Sequence, residues 1–153
     1  MQILPKMKTV STDINQIDAA ESDYLFVEVS SLPSSGNGLL TAIDIFRGEI
    51  IAVFKGEVLS DLQAKLRMRK GKDQYFISML NGKMMDSMNA DCFAKYANDA
   101  SGLSGSSFKN NSSIGLDGRN NICLIATRNI KTGEEIFCSY GKKYWRKHGR
   151  ITP

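Results

Sequence analysis

Apolar residues in this chain occur in short runs that glycine, asparagine and charged residues interrupt. The longest runs, such as residues 50–54 and 122–126, fall far short of the roughly 20 apolar residues that a membrane-spanning helix needs. Short runs rich in β-branched and aromatic residues are typical of β-strands. Because 153 residues suffice for one domain with its own core, the sequence predicts a mainly β domain with short helices rather than a parallel α/β domain.

Seven segments have the β-branched and aromatic composition of strands. They are residues 24–29, 39–45, 49–54, 74–80, 83–86, 121–127 and 136–140. The dipeptide Asn81-Gly82 separates two of these segments. It predicts a tight hairpin, because asparagine and glycine readily adopt the positive φ angles that a type I′ turn requires.

One strong helix start follows the first three strand segments. Ser60 and Gln63 match the capping box, in which each side chain accepts a hydrogen bond from an otherwise unpaired backbone N–H group. This signal predicts a helix over residues 61–70 that ends before Gly71. Residues 90–96 are expected to form two further helical turns.

The ends of the chain differ in composition from its middle. Residues 1–22 are polar without periodicity and are expected to form an N-terminal extension, followed by a domain over residues 23–141 and a basic, aromatic tail over 142–153. Within the domain, residues 101–113 contain six serines, two glycines and two asparagines. This composition predicts a mobile loop.

Charge and cysteine content narrow the chemistry. The chain has 20 basic and 16 acidic residues, a formal charge of +4, which favours an anionic partner only weakly. The cysteines, Cys92, Cys123 and Cys138, are odd in number and lack Cys-x-x-Cys spacing, and His148 is the single histidine. The sequence therefore predicts no disulfide scaffold, no metal site and no membrane partner. A reducing intracellular compartment is expected, nuclear or cytoplasmic.

Common catalytic motifs are missing. The chain has no nucleophile elbow and no P-loop. Gly36 and Gly38 flank Asn37, but the third glycine and the long helix of the dinucleotide fingerprint do not follow. Taken alone, this pattern indicates a hairpin turn, although closely spaced glycines also let the backbone approach a ligand.

Four segments, taken in their order, carry a family resemblance. They are SGNGLLTA at 35–42, RGEII at 47–51 with FKGE at 54–57, AKYAND at 94–99, and TGEEI at 132–136 leading to SYG at 139–141. Together they resemble the SET domain of protein lysine methyltransferases over about residues 24–145. The resemblance assigns residues 23–141 to a SET domain with an insert helix at 61–70. It implies a β-rich fold of small sheets in which the Asn98 and Tyr140 segments cross in a C-terminal pseudoknot.

The activity implied by this resemblance is the transfer of methyl groups to a lysine side chain of a protein. The donor would be S-adenosyl-L-methionine, which becomes S-adenosyl-L-homocysteine, and no metal would take part. The protein partner would be a histone tail, as in chromatin modification, or a non-histone protein. In the family, donor and peptide bind on opposite faces and a narrow channel for the lysine joins them.

By the same resemblance, donor-binding roles fall on a glycine-containing loop and on four further residues. The set is Ser35, Gly36, Asn37, Gly38, Tyr75, Asn98, Asp99 and Trp145. The loop would hold the methionine part of the donor through its backbone, so we expect Gly38→Val to cripple donor binding in a domain that still folds. Trp145 would stack on the adenine, although it is equally a candidate anchor for the tail.

The lysine channel receives three residues from the resemblance. Tyr140 matches the tyrosine at the inner end of the channel and is the predicted catalytic residue, and Phe54 and Cys138 match channel-lining positions. Methyl transfer needs the amine and the methyl carbon aligned at about 3–3.5 Å. Because Cys138 is smaller than the tyrosine or phenylalanine common at its position, we expect di- or trimethylation.

Two departures from the family pattern keep alternatives open. Asp99 stands where the family has histidine, which adds a carboxylate near the donor, and Phe54 replaces a common channel tyrosine. A catalytically silent module that binds a protein partner or the cofactor is therefore one alternative.

Basic residues motivate another alternative. The clusters at 65–72 and 142–150 are by default solvated faces, but a small basic β domain that binds nucleic acid would also carry them. A basic groove wall suits a non-histone substrate better than a highly basic tail. Lys95 is expected to be solvated.

Overall fold

Three small antiparallel sheets make up the fold. The structure, a computed structural model, describes residues 15–102 and 107–141. In spatial order the strands are β1 (Leu25–Val29), β2 (Asn37–Thr41) and β9 (Glu135–Ile136) in the first sheet, β3 (Ile50–Val53), β8 (Ile122–Ala126) and β7 (Ser112–Leu116) in the second, and β4 (Glu57–Leu59), β6 (Met84–Asp86) and β5 (Phe76–Ser78) in the third. The predicted mainly β fold class is therefore confirmed.

Helices in the described ranges are short. Helix α1 spans Glu21–Tyr24 and α2 spans Asp61–Arg69. The predicted capping box is present, because the Gln63 backbone N–H donates to the Ser60 hydroxyl at 3.2 Å and the Ser60 N–H donates to the Gln63 side-chain oxygen at 2.9 Å. Helix α2 buries no side chain, so local capping rather than core packing sets where it begins.

An ion-pair network holds α2 against the third sheet. The Arg67 guanidinium donates to the Asp86 carboxylate at 2.7 Å and to the Glu57 carboxylate at 2.9 Å. Glu57 and Asp86 are directly paired positions of β4 and β6. One guanidinium therefore bridges two neighbouring strands, a use of the forked donor geometry that lysine does not offer.

The core lies between the first and second sheets. Leu39 and Ile136 from the first sheet and Ile51 and Leu124 from the second have no exposed surface, and all four belong to one apolar cluster. Burial of each such side chain contributes roughly 1.5–3 kcal/mol. The hairpin of the third sheet contributes partly buried residues to the same cluster, so it closes one side of the core.

Several elements differ from their prediction. Tyr24 ends α1 instead of opening β1, because its hydroxyl turns inward and donates to the Ile51 carbonyl at 2.7 Å. Residues 90–96 contain one 3-10 turn at Ala94–Tyr96 rather than two helical turns. Strand β4 was not predicted, and β7 begins inside the serine-rich segment at Ser112. Both strands have weak intrinsic preference and form because a neighbouring strand supplies their hydrogen bonds.

Part of the predicted N-terminal extension contacts the domain. The Asn15 carbonyl accepts a hydrogen bond from the Ile50 N–H at 3.0 Å, and Gln16 forms a parallel bridge to Ile50. Ile17 packs against the core cluster. Over residues 15–102 and 107–141, no helix combines the length and the apolar character needed to cross a membrane.

Candidate active site

The C-terminal segment passes between the two ends of an earlier loop. Phe137 forms a parallel bridge with Asn98, and Cys138 forms one with Ser112. The Cys138 N–H donates to the Asn98 carbonyl at 2.9 Å, and the Ser112 N–H donates to the Phe137 carbonyl at 3.0 Å. Asn98 lies before the serine-rich segment and Ser112 lies near the end of it, so the chain crosses itself as the resemblance implies. Chain threading of this kind is exceptional in proteins.

A buried asparagine fastens this crossing from one side. Asn111 is 1% exposed. Its side-chain amide donates to the Glu135 carbonyl at 2.9 Å, and its side-chain oxygen accepts from the Phe137 N–H at 2.9 Å. The nitrogen and the oxygen of the Asn111 amide thus both form hydrogen bonds within the protein, and they satisfy the Glu135 carbonyl and the Phe137 N–H at the end of β9.

A buried carboxylate fastens the crossing from the other side. Asp99 is 1% exposed, and its Oδ2 accepts a hydrogen bond from the Tyr140 N–H at 2.7 Å. Its Oδ1 accepts from the Ser101 N–H at 2.9 Å, the Ser101 hydroxyl at 2.6 Å and the Asn110 amide at 3.0 Å. The charge therefore faces the crossing rather than open solvent. A cofactor-binding role for Asp99 stays a prediction.

Tyr140 is held at both its backbone and its side chain. Asp99 holds the N–H, and the phenol hydroxyl donates to the Ala97 carbonyl at 2.5 Å. The ring is only partly buried. The predicted catalytic tyrosine is therefore fixed in orientation while one side of it stays open to a pocket.

This pocket collects the predicted channel residues. It measures about 90 Å³ and is lined by Phe54, Gln74, Tyr75, Phe76, Ile77, Ser87, Ala94, Lys95, Ala97, Ile114, Cys138 and Tyr140. Whole small-molecule sites usually measure about 300–1,000 Å³, so this pocket suits a single side chain. Phe54 and Cys138 are buried in its wall, whereas Tyr75 is 38% exposed at its rim.

The Cys138 thiol is neutral in this wall. Burial raises the pKa of Cys138 from 9.0 to about 12, and the negative charge of Asp99 adds to the shift. Cys138 is 1% exposed, so its sulfur acts as a small apolar group in the pocket wall.

Lys95 is not simply solvated, contrary to expectation. Its ammonium donates to the Met88 carbonyl at 3.0 Å and to the Ala90 carbonyl at 2.9 Å, and it lies 5.3 Å from the centroid of the Tyr96 ring. The side chain also lines the pocket. A fixed positive charge therefore stands beside the predicted lysine channel.

The predicted donor loop is tied to the crossing through one residue. The Asn98 side-chain amide donates to the Asn37 carbonyl at 2.9 Å, while the Asn98 carbonyl accepts from Cys138. Asn98 thus joins the donor loop to the channel wall. Gly36 in this loop has a φ of +66°, and a Cβ atom there would meet no heavy atom within 4 Å, which leaves an open approach for a ligand.

Gly38 has a different reason to be glycine. A Cβ atom at Gly38 would overlap the Glu135 carboxylate, which accepts from the Ser30 hydroxyl at 2.6 Å and from the Ser31 N–H at 2.8 Å. Glu135 is 8% exposed, so it has little room to move. A side chain at Gly38 would have to displace the Glu135 carboxylate, so a loss of donor binding in Gly38→Val would not by itself report on the loop, and Gly36 is the better position for testing it.

Comparison with known families decides the relationship. The family model described as SET domain matches residues 36–141. The chain belongs to the SET domain family. A search of curated proteins gave no significant match.

Solved structures with a similar fold include chains of Polycomb Repressive Complex 2 from Chaetomium thermophilum. One is a humanized mutant of that complex bound to an inhibitor, which is 25% identical in sequence to this chain and superposes with a TM-score of 0.60. The match covers 76% of this chain and 15% of the chain in the complex. Another is the complex in an autoinhibited conformation bound to S-adenosylmethionine, with 24% sequence identity and a TM-score of 0.61. This match covers 83% of this chain and 16% of the chain in the complex. This SET domain therefore spans about 15–16% of the length of those chains.

Other predicted and unpredicted residues complete the comparison with the sequence. Trp145 lies outside the described residues. Ser87, Ala97 and Ile114 line the pocket but were not singled out, because no local pattern marks them. For Ser87, the one available sequence signal was the hairpin centred on Asn81-Gly82. This hairpin pairs β6 with β5 and so places Ser87, the residue after β6, beside β5. Among the residues that the structure describes, no three His, Cys, Asp or Glu side chains gather in a metal-binding group.

Proposed function

We propose that this SET domain is an S-adenosylmethionine-dependent protein lysine N-methyltransferase. One observation carries the proposal. The Tyr140 hydroxyl is fixed on the Ala97 carbonyl at 2.5 Å at the wall of a pocket sized for one side chain, and Asn98 connects this wall to the glycine loop. Family membership and the likeness to a SET domain bound to S-adenosylmethionine support the same reading.

The chain's residues fit a methyl donor of this kind. The open space beside Gly36 suits a ligand that approaches the backbone closely. When bound, S-adenosylmethionine would supply a methyl group on a sulfonium, and the lone pair of the lysine amine would form the new C–N bond as the C–S electrons return to sulfur. Asn37 and Asn98 would position the donor, and the amine would release a proton to solvent.

The pocket favours a lysine that arrives without its proton. Phe54, Ile77 and Ala94 line the pocket and would surround the alkyl chain of a bound lysine with apolar groups. Low polarity and the nearby ammonium of Lys95 both disfavour a second positive charge. Tyr140 would orient the neutral amine, because its oxygen accepts an N–H hydrogen bond while its own proton is held by Ala97.

The substrate is proposed to be a protein, histone or non-histone, that presents a lysine in an extended segment. The solved relatives are parts of a multi-subunit complex, which supports binding to other proteins. We also propose a reducing intracellular compartment, which the three free, buried thiols support. Transfer in chromatin is one outcome of the substrate screen below.

The test is a labelled methyl-transfer screen over a proteome and over purified histones. We expect label in lysine residues of wild-type reactions and a large loss with Tyr140→Phe, while calorimetric affinity for S-adenosylhomocysteine changes little. Ser78→Ala, an exposed change in β5, is the matched control. Donor binding without transfer would favour the silent module, and no donor binding would overturn the proposal.

A further inference from the structure

Ser87 carries a buried hydroxyl without an internal partner. Among the buried side-chain nitrogen and oxygen atoms in the described part of the chain, the Ser87 Oγ is the one that forms no hydrogen bond. Ser87 is 1% exposed. An unsatisfied buried polar group destabilises a fold, so native proteins keep one chiefly where a water, an ion or a ligand completes it.

The backbone of Ser87 is held in place by its neighbours. Ser87 directly follows β6, and its N–H donates to the Tyr75 carbonyl at 3.2 Å. The preceding residue, Asp86, is anchored by Arg67 at 2.7 Å and accepts from the Met88 N–H at 3.0 Å. These contacts hold the backbone in place, so the Ser87 hydroxyl can change its position only by rotation of its own short side chain.

The residue that carries this hydroxyl belongs to the lining of the lysine pocket. Ser87 lines the same pocket as Phe54, Cys138 and Tyr140. The Phe54 side chain has no polar atom, and the Cys138 sulfur is only a weak hydrogen-bond acceptor. Ser87 thus brings to the pocket lining an oxygen atom that forms no hydrogen bond within the described part of the protein.

We propose that the Ser87 hydroxyl accepts a hydrogen bond from the amine of the target lysine and so orients it for methyl transfer. This proposal rests on the proposed function. It supplies the hydrogen bond that is missing at Phe54, where related channels commonly carry a tyrosine. Because the amine must aim its lone pair at the donor methyl, an acceptor for its N–H leaves that lone pair available.

The proposal predicts opposite effects on stability and on transfer. Ser87→Ala removes a buried hydroxyl that has no partner, so the free protein should unfold at the same or a higher temperature. The methyl-transfer rate should fall about three- to tenfold, the scale of one lost hydrogen bond. A merely structural serine would lower both quantities together.

Rescue and a control make the test specific. Phe54→Tyr combined with Ser87→Ala should regain most of the transfer rate, because the phenol brings a hydroxyl back to the pocket. Ser78→Ala, exposed in β5 and outside the pocket, should change neither rate nor stability. Wild-type-like transfer by Ser87→Ala would overturn the inference while leaving the proposed function intact.

A binding measurement separates this inference from the proposed function. Butylamine, used as a probe for the lysine end at a pH where it is partly neutral, should shift the amide NMR signals of Ser87 and Cys138 in the wild-type protein. Its affinity should fall several-fold in Ser87→Ala and stay unchanged in Ser78→Ala. Equal affinities in all three proteins would overturn the role of Ser87, whether or not methyl transfer is found.

Discussion

The Asp99 carboxylate accepts a hydrogen bond at 2.7 Å from the backbone N–H of Tyr140, which lies 41 positions further along the chain. This contact joins the two segments that cross in the pseudoknot. It makes the position of the predicted catalytic tyrosine depend on a buried carboxylate. Asp99 is thus a positioning residue in the described structure.

Asp99→Ala should destabilise the domain by about 2 kcal/mol, because it leaves four partly buried hydrogen bonds without their acceptor. Asp99→Asn should cost less, since one oxygen remains. Urea denaturation followed by circular dichroism measures both. Asp91→Ala, an exposed aspartate, is the control and should stay within about 0.5 kcal/mol of wild type. Equal stability of the Asp99→Ala and Asp91→Ala proteins would show that the crossing does not need the carboxylate.

Gly36→Ala should weaken donor binding in a folded protein. Because the φ at this position is +66°, alanine should lower the free energy of unfolding by about 1–2 kcal/mol. The new methyl group would also occupy the open space through which a ligand approaches the loop. We expect the calorimetric Kd for S-adenosylhomocysteine to rise about tenfold or more, or about 1.4 kcal/mol of binding free energy.

Two other glycines give matched comparisons for this test. Gly48→Ala has a similar backbone strain, with a φ of +90° and open space, and should leave donor affinity unchanged. Gly38→Ala should instead lower stability, because its methyl group would displace Glu135 from Ser30 and Ser31. Donor affinity equal to wild type in folded Gly36→Ala would remove the loop assignment.

Cys138 should control how many methyl groups are added. A methylated amine must rotate its methyl groups aside before the next transfer, and the small thiol beside Phe54 leaves room for this. Wild-type protein should therefore reach di- or trimethyl-lysine, and Cys138→Tyr should stop mainly at one methyl group. Cys138→Phe, which adds bulk without a hydroxyl, is the matched comparison. Mass spectrometry of reactions run to completion reads the result, and a wild-type reaction that ends at monomethyl-lysine contradicts it.

The Cys138 thiol should make stability fall at alkaline pH. Its pKa is 9.0 in the reference state and about 12 in the folded protein, so above pH 9 the unfolded chain loses a proton that the folded chain keeps. The contribution of the neutral Cys138 thiol to the unfolding free energy is complete below pH 9 and is lost as the pH rises toward 12. Between pH 8 and 10, wild type should lose on the order of 1 kcal/mol more unfolding free energy than Cys138→Ala. Parallel losses in urea titrations would contradict this pKa.

Local and family signals in the sequence determined much of the fold. The capping box of Ser60 and Gln63 set the start of α2, because those hydrogen bonds form between residues three positions apart. The hairpin between β5 and β6 forms as the Asn81-Gly82 pair predicts, but only Gly82 has a positive φ, of 82°, so the turn is not of type I′. The order of the four motifs predicted the SET domain family, the small sheets and the crossing near Tyr140, which the family match and the fold confirm.

Only the tertiary structure decided what the polar side chains do. No local pattern shows that Asp99 turns inward to Tyr140, that Glu135 occupies the space beside Gly38, or that the Ser87 hydroxyl has no partner. Each of these facts depends on segments that lie far apart in sequence and meet only in the folded chain. The sequence determines which groups are present, whereas packing decides which of them are satisfied within the protein and which remain available to a ligand.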